Sequence, residues 1–191
     1  MKYIKVLLFA IVLASCAKDE KNLIAKNQLG VLTNTTKFSE IESLFDKDSV
    51  VFTQKKGVFG RGVKNASQII KIYDTSGQNL LVINPLKVSD SLIKIKDIRI
   101  FSEKFKTDNG IGLGSSFSEL KKYHDVSNIQ SSLKSVIVSL DELNALVSFD
   151  REVLPGDVRF DIEAEVKPIM IPDDAKINRF WINFETENKN D

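Results

Sequence analysis

Phe38-Ser39-Glu40-Ile41 recurs in the second half of the chain as Phe117-Ser118-Glu119-Leu120, and at the same offset Leu32 falls on Ile111, Thr36 on Ser115 and Leu44 on Tyr123. A period of this length exceeds that of a solenoid, whose repeats run to roughly 20 to 50 residues. It reads instead as one duplicated lobe, so each half must supply the same elements in the same order. Each copy begins with an apolar residue, then a turn rich in Thr, Ser, Asn and Gly, then a short helix. In the second copy Ser116 and Glu119 form a capping box. In the first, Lys37 stands at the Ser116 position, and Thr36 is expected to cap instead. Phe38, Ile41 and Phe45 lie at helical spacing, as do Phe117 and Leu120, with His124 in the place of Phe45. These are core-facing stripes of short helices.

Strand signals follow each helix. The first copy reads as strands over 49–53, 67–73, 79–83 and 92–101, with the turn residues "DTSGQN" between the middle two. The second reads as strands over 128–131, 134–140, 144–149 and 157–166, with a last strand over 176–184. Helix then antiparallel strands, twice over, predicts an α+β fold with one continuous sheet or two packed antiparallel sheets. The lobes are expected at 29–103 and 104–185. Ile93 and Ile95 share one parity and Ile98 and Ile100 the other, which predicts a β-bulge or break near Lys96-Asp97. Residues 55–66, "KKGVFGRGVKNA", have no counterpart in the second copy and form the main insertion.

The stretch "GIGLGSSFSELKKYHD" superficially resembles a phosphate-binding loop. Such a loop needs Gly-x-x-x-x-Gly-Lys-Ser/Thr. Here Ser115, Ser116 and Phe117 follow Gly114, no lysine appears before Lys121, and the first copy has Val31 and Thr33 opposite Gly110 and Gly112. The stretch is a turn and a cap.

The N-terminus is an address. Lys2 and Lys5 precede an apolar run over 6–13, followed by small residues and a cysteine. The run is far shorter than the roughly 20 residues a membrane span requires. Leu13-Ala14-Ser15-Cys16 resembles the lipobox of bacterial lipoproteins. The resemblance implies a leader over 1–15, acylation of Cys16, and a membrane partner through the N-terminal lipid. A single chain would hold only marginally, whereas the several chains carried by such a cysteine hold firmly. The alternative is an ordinary secretory leader with an incidental cysteine. Ala17, where aspartate would signal retention in the inner membrane, implies the outer membrane. Lys18-Asp19-Glu20 is similar to the export tag of surface lipoproteins of the Bacteroidota; a solvated tether over 16–28 is the plainer reading. A polar tail over 186–191 ends the chain.

"TDNGIGLGSSFSELKKYHDV" resembles the Thr-x-x-Gly-Ile-x-x-Gly-Ser/Thr-x-x-x-Glu-Leu signature of a family of secreted bacterial proteins and lipoproteins of unassigned function. The duplicated plan is also similar to that of β-lactamase-inhibitor protein and of the assembly-factor lipoproteins of the outer-membrane β-barrel machinery. Neither resemblance carries catalytic residues to this chain.

Composition narrows the chemistry. With Lys2 and Lys5 in the leader, 25 basic residues face 26 acidic ones, a formal charge of −1, which gives no surplus for a nucleic-acid backbone. One histidine and one cysteine exclude Cys/His zinc sites, cysteine nucleophiles and a disulfide within the chain. No pattern calls for a metal or a cofactor. The acids Asp157, Asp161, Glu163 and Glu165 alternate with Val158, Phe160, Ile162 and Ala164. This reads as the solvated face of a strand, though neighbours at i and i+2 also have the separation of paired glycosidase carboxylates or of oxygen ligands for Ca²⁺. Asp173-Asp174 reads as a turn, and His124 as a helix end beside Asp125. Trp181 lies on the strand face opposite Phe180, Ile182 and Phe184, either as a recognition anchor or buried against the other lobe. With Phe59 of the insertion it is the candidate binding residue. The sequence therefore predicts a lipid-anchored envelope protein that binds an envelope protein or glycan, with no enzymatic activity. The alternatives are a carbohydrate hydrolase using the acidic strand, or a structural accessory of an outer-membrane complex.

Overall fold

The structure, a computed structural model, describes residues 20–54, 68–89, 92–126 and 128–184. The expected leader, Cys16, the insertion with Phe59, and the polar tail lie outside the described residues. Among the described residues no helix is long and apolar enough to cross a membrane.

After a 3-10 turn at Glu20–Asn22 come three short strands, β1 (Leu23–Ala25), β2 (Gln28–Leu29) and β3 (Leu32–Thr33). A 3-10 turn at Phe38–Glu40 then runs into α1 (Ile41–Leu44), followed by β4 (Ser49–Gln54), β5 (Gln68–Tyr73), β6 (Asn79–Lys87) and β7 (Ile93–Ile100). The second half runs through β8 (Lys106–Thr107), α2 (Phe117–Tyr123), β9 (Asn128–Ser131), β10 (Ser135–Leu140), β11 (Ala145–Asp150), α3 (Gly156–Phe160) and β12 (Arg179–Asn183). Each half thus follows its first helix with four strands of one large sheet. The starts of β4 and β9 keep the offset that relates Phe38 to Phe117, while β5 and β10 begin closer together by the length of the inserted 55–66.

The two meanders join into one eight-stranded sheet of order β4-β5-β6-β7-β12-β11-β10-β9, so each half contributes its last strand to the centre. There Ile98 pairs with Ile182, Arg99 with Trp181, and Ile100 with Phe180. The expected irregularity is present. Asn84 pairs with Asp97 but Pro85 with Ile95, leaving Lys96 as the extra residue. Pro85, which has no N–H to give, sits opposite the break, where a ladder bond is lost in any case.

Both halves build the turn before the helix from the same hydrogen bonds. Thr36 Oγ1 accepts the Thr33 N–H at 2.9 Å, and Ser115 Oγ accepts the Gly112 N–H at 3.2 Å. Glu40 accepts the Lys37 N–H at 3.2 Å, and Glu119 accepts the Ser116 N–H at 2.7 Å. Lys37 bridges to Lys94 on β7, and Ser116 to Lys176 ahead of β12. Thr36 therefore staples the turn and does not cap the helix. Only the second half completes the box, because Ser116 Oγ takes the Glu119 N–H and a lysine offers no acceptor. A cap contributes about 1 kcal/mol, consistent with α2 being longer than α1.

The glycines of the second turn serve the backbone. A Cβ on Gly112 would stand 2.3 Å from the Phe105 carbonyl oxygen, and Gly114 has φ +79°. The lysine beside this turn is held by the backbone: Lys106 Nζ donates to the Leu113 carbonyl at 2.8 Å.

One buried cluster holds Ile24, Leu32, Phe38 and Ile41 of the first half together with Phe117, Leu120, Phe149 and Phe180 of the second. Phe117 meets Phe149 edge-on at 5.4 Å. Two expectations change. The fold starts well before Leu29, because Ile24 is buried and β1 pairs in parallel with β8, Leu23 beside Lys106. Residues 20–28 are thus structure and not tether. The halves share one core across 103/104.

The largest correction is 157–166, which is not a strand. Pro155 and Gly156 lead into α3 and a turn follows at 161–164; Val158 is buried, but Phe160 is 83% and Ile162 53% exposed. The reason is Arg151, itself buried. Its Nε donates to the Arg159 carbonyl (2.7 Å), its Nη2 to those of Val158 (2.7 Å) and Asp161 (2.6 Å), and its Nη1 to the Ser132 carbonyl (3.0 Å) and to Ser131 Oγ. These charged donors take the place of a ladder, and the alternation in the sequence has no sheet to join.

The "DTSGQN" turn forms as expected. The Asp74 carboxylate accepts from the Ser76 hydroxyl and N–H and from the Gln78 N–H, which hold its pKa down at about 2 against an ordinary 3.8. Glu119 is also lowered, first by the Ser116 N–H and then by its hydroxyl. Both folded values lie below the unfolded ones, so the contribution is complete above about pH 5 and is lost as pH falls through the folded values. Stability should fall from about pH 4 towards about pH 2, and Asp74→Asn should flatten that fall. A urea titration at several pH values measures both.

Candidate functional site

Strand alternation divides the large sheet into two faces. One carries Ile70, Ile83, Ile98, Ile182, Val147 and Val138, and it is covered by the helices and the loops. On the other, Val51 is exposed and Lys71, Val82, Arg99, Trp181, Leu146 and Ser139 are half-buried among the described residues. A single row of register partners crosses it from edge to edge: Val51, Lys71, Val82, Arg99, Trp181, Leu146, Ser139 and Asn128. The next row continues from Arg179 through Ser148 and Ile137 to Gln130.

Trp181 stands near the middle of this face, half-buried, because the strand parity that sends Phe180 and Ile182 into the core turns it outward. The guanidinium of Arg99 lies 4.6 Å from the ring centroid of Phe101 and 5.7 Å from that of Trp181. Phe101, two residues beyond Arg99, is 37% exposed. Burial, and then the nearby Arg179 charge, push the Arg99 pKa below the usual arginine range. Arg179 Nη1 donates to Ser135 Oγ at 2.7 Å. The structure thus brings Trp181 together with Arg99, Phe101 and Arg179. The sequence points to Trp181 alone; the others need the register between β7 and β12, which joins distant parts of the chain.

The remaining candidates fall elsewhere. Asp161, Glu163 and Glu165 are exposed on the turn and extended segment after α3, and Asp161 accepts the Glu163 N–H at 3.0 Å. They line neither of two surface depressions. The first, of ≈ 460 Å³, is bordered by Asp150, Asp174, Lys176 and Asn178; the second, of ≈ 200 Å³, by Phe38, Phe52, Leu92 and Ile93. Asp173-Asp174 is a turn, with Asp173 paired to Lys121 at 2.7 Å. His124 ends α2 as expected; it is buried, and its Nδ1 lies 2.7 Å from Glu142. Its Nε2 has no partner among the described residues. The position that Phe45 takes in the first half is taken here by a polar ring. No group of three or more His, Cys, Asp or Glu side chains is placed to hold a metal among the described residues.

No family model matches the chain, and no curated protein does. A crystal structure of the uncharacterized Escherichia coli protein YfeY is similar, with a TM-score of 0.55 and 16% identity over 84% of this chain and 99% of that one. At that identity the likeness concerns the fold alone, and it agrees with the α+β architecture.

Proposed function

We propose that the protein is a lipid-anchored binding protein of the cell envelope, and that the uncovered face of the eight-stranded sheet is its contact surface. The observation that carries this reading is Trp181, a large amphipathic side chain left half-exposed on a central strand, in a row that also holds Val51, Val82 and Leu146. Tryptophan and arginine near the centre of a patch are the residues that most often dominate binding energy. A broad sheet face also suits a macromolecule better than a small ligand, which needs a cleft enclosing most of its surface. Cys16 in its lipobox-like setting supports the anchor, and the matching turns of the two halves support a duplicated unit.

Lipidated protein used as bait in solubilised envelope membranes should retain a discrete partner. Trp181→Ala should weaken retention about 30-fold, since truncating a binding anchor costs about 2 kcal/mol or more. Equal retention by the variant would count against the open face. In the same cells, Cys16→Ala should move the protein out of the outer-membrane fraction; unchanged fractionation would remove the anchor from the reading.

A further inference from the structure

Arg99 is the residue on the open face that folding accounts for least. Its guanidinium rests on Phe101 and Trp181, yet it makes no hydrogen bond or ion pair among the described residues. Arg179 lies diagonally across from it, because Arg99 pairs with Trp181 and Arg179 is two residues along the same strand. Two like charges are therefore neighbours, and the Arg179 charge acts on Arg99. The acids that the register brings onto this face are held by amides: Asp97 accepts from Asn84 Nδ2 and Asp150 from Asn178 Nδ2, each at 2.6 Å. Lys71, in the same row as Arg99, adds a third positive charge. The two rings lie beside the Arg99 guanidinium, whose planar set of N–H donors is the chemistry that matches a carboxylate bidentately.

We propose that Arg99 and Arg179 receive a carboxylate from an acidic segment of a partner protein laid across the open face. This rests on that face being the contact surface, and it adds the chemistry of the partner. The occupant is a macromolecule because Arg99, Trp181 and Arg179 stand in rows of register partners that run from strand to strand across the sheet, a surface broader than a small ligand covers. It is a protein and not an anionic membrane, because the basic residues are few and sit among Val51, Val82, Trp181 and Leu146, a mixture that suits a packed protein surface.

The test is fluorescence anisotropy on full-length protein in detergent, with a labelled hexaglutamate peptide as probe, hexalysine as control, and phosphoglycerol, the soluble headgroup of an anionic lipid, as competitor. Hexaglutamate should bind and hexalysine should not. Binding should weaken at least tenfold in the Arg99→Gln/Arg179→Gln protein and fall as salt rises. Arg99→Lys should restore only part of it, since an ammonium keeps the charge but loses the fork. Undiminished hexaglutamate binding by the double variant would overturn the proposal. So would absence of hexaglutamate binding, or displacement by phosphoglycerol at matched charge concentration. The double variant should keep the wild-type melting temperature. If the double variant retains the envelope partner at full strength while Trp181→Ala loses it, the acidic-segment proposal fails and the open face stands.

Discussion

Arg151→Met is expected to destabilise the protein by about 3 to 5 kcal/mol, the cost of leaving buried polar groups unpaired, although methionine matches much of the arginine stem. The guanidinium spends its donors inside the protein, on four carbonyls and the Ser131 hydroxyl. Hydrogen bonds from a charged group contribute about 1.5 to 3 kcal/mol each, and a buried acceptor left bare costs about 1 to 3 kcal/mol; relaxation and water entry reduce the sum. Arg151→Lys should recover only a minor part, because three donors on a point charge cannot reach acceptors arranged for a fork. A urea midpoint lowered by about 1.5 M or more is the expected result for a chain of this size. Amide exchange should show 156–166 opening first. A change of under about 0.5 kcal/mol, the range of ordinary surface substitutions, would mean that the α3 segment is held by something other than this side chain.

The same residue shows where sequence reasoning stops. The two helices that open the halves, the eight strands of the large sheet and the bulge at Lys96 are legible, because each is written in local spacing: helical stripes at Phe38 and Phe117, β-branched runs, and a change of parity within β7. The strict alternation after Asp157 is equally local and misleads, since a strand also needs a neighbour to pair with. Arg151 satisfies those carbonyls from outside the segment, and nothing in "DREVLP" announces that. Ile24 reads as tether for a related reason. Strands as short as β1 and β2 show no period, and β1 is fixed by pairing with β8, far along the chain.

The candidate site divides along the same line. Trp181 is visible because its parity against Phe180 and Ile182 is a property of one strand. Arg99, Phe101 and Arg179 become its neighbours only through the β7–β12 register at the junction of the two halves. That junction occurs once in the large sheet. The proposed binding face is accordingly a product of joining the halves and belongs to neither alone.

The most direct measurement places a photo-crosslinking amino acid at Trp181 in the anchored protein within intact cells, with the same group at Glu42 on the exposed side of α1 as the comparison. Irradiation should give one discrete adduct from position 181, identifiable by mass spectrometry, and none from position 42. Adducts from position 42 alone, or none from position 181 in cells where the protein is abundant, would contradict the open sheet face as the surface through which this protein works.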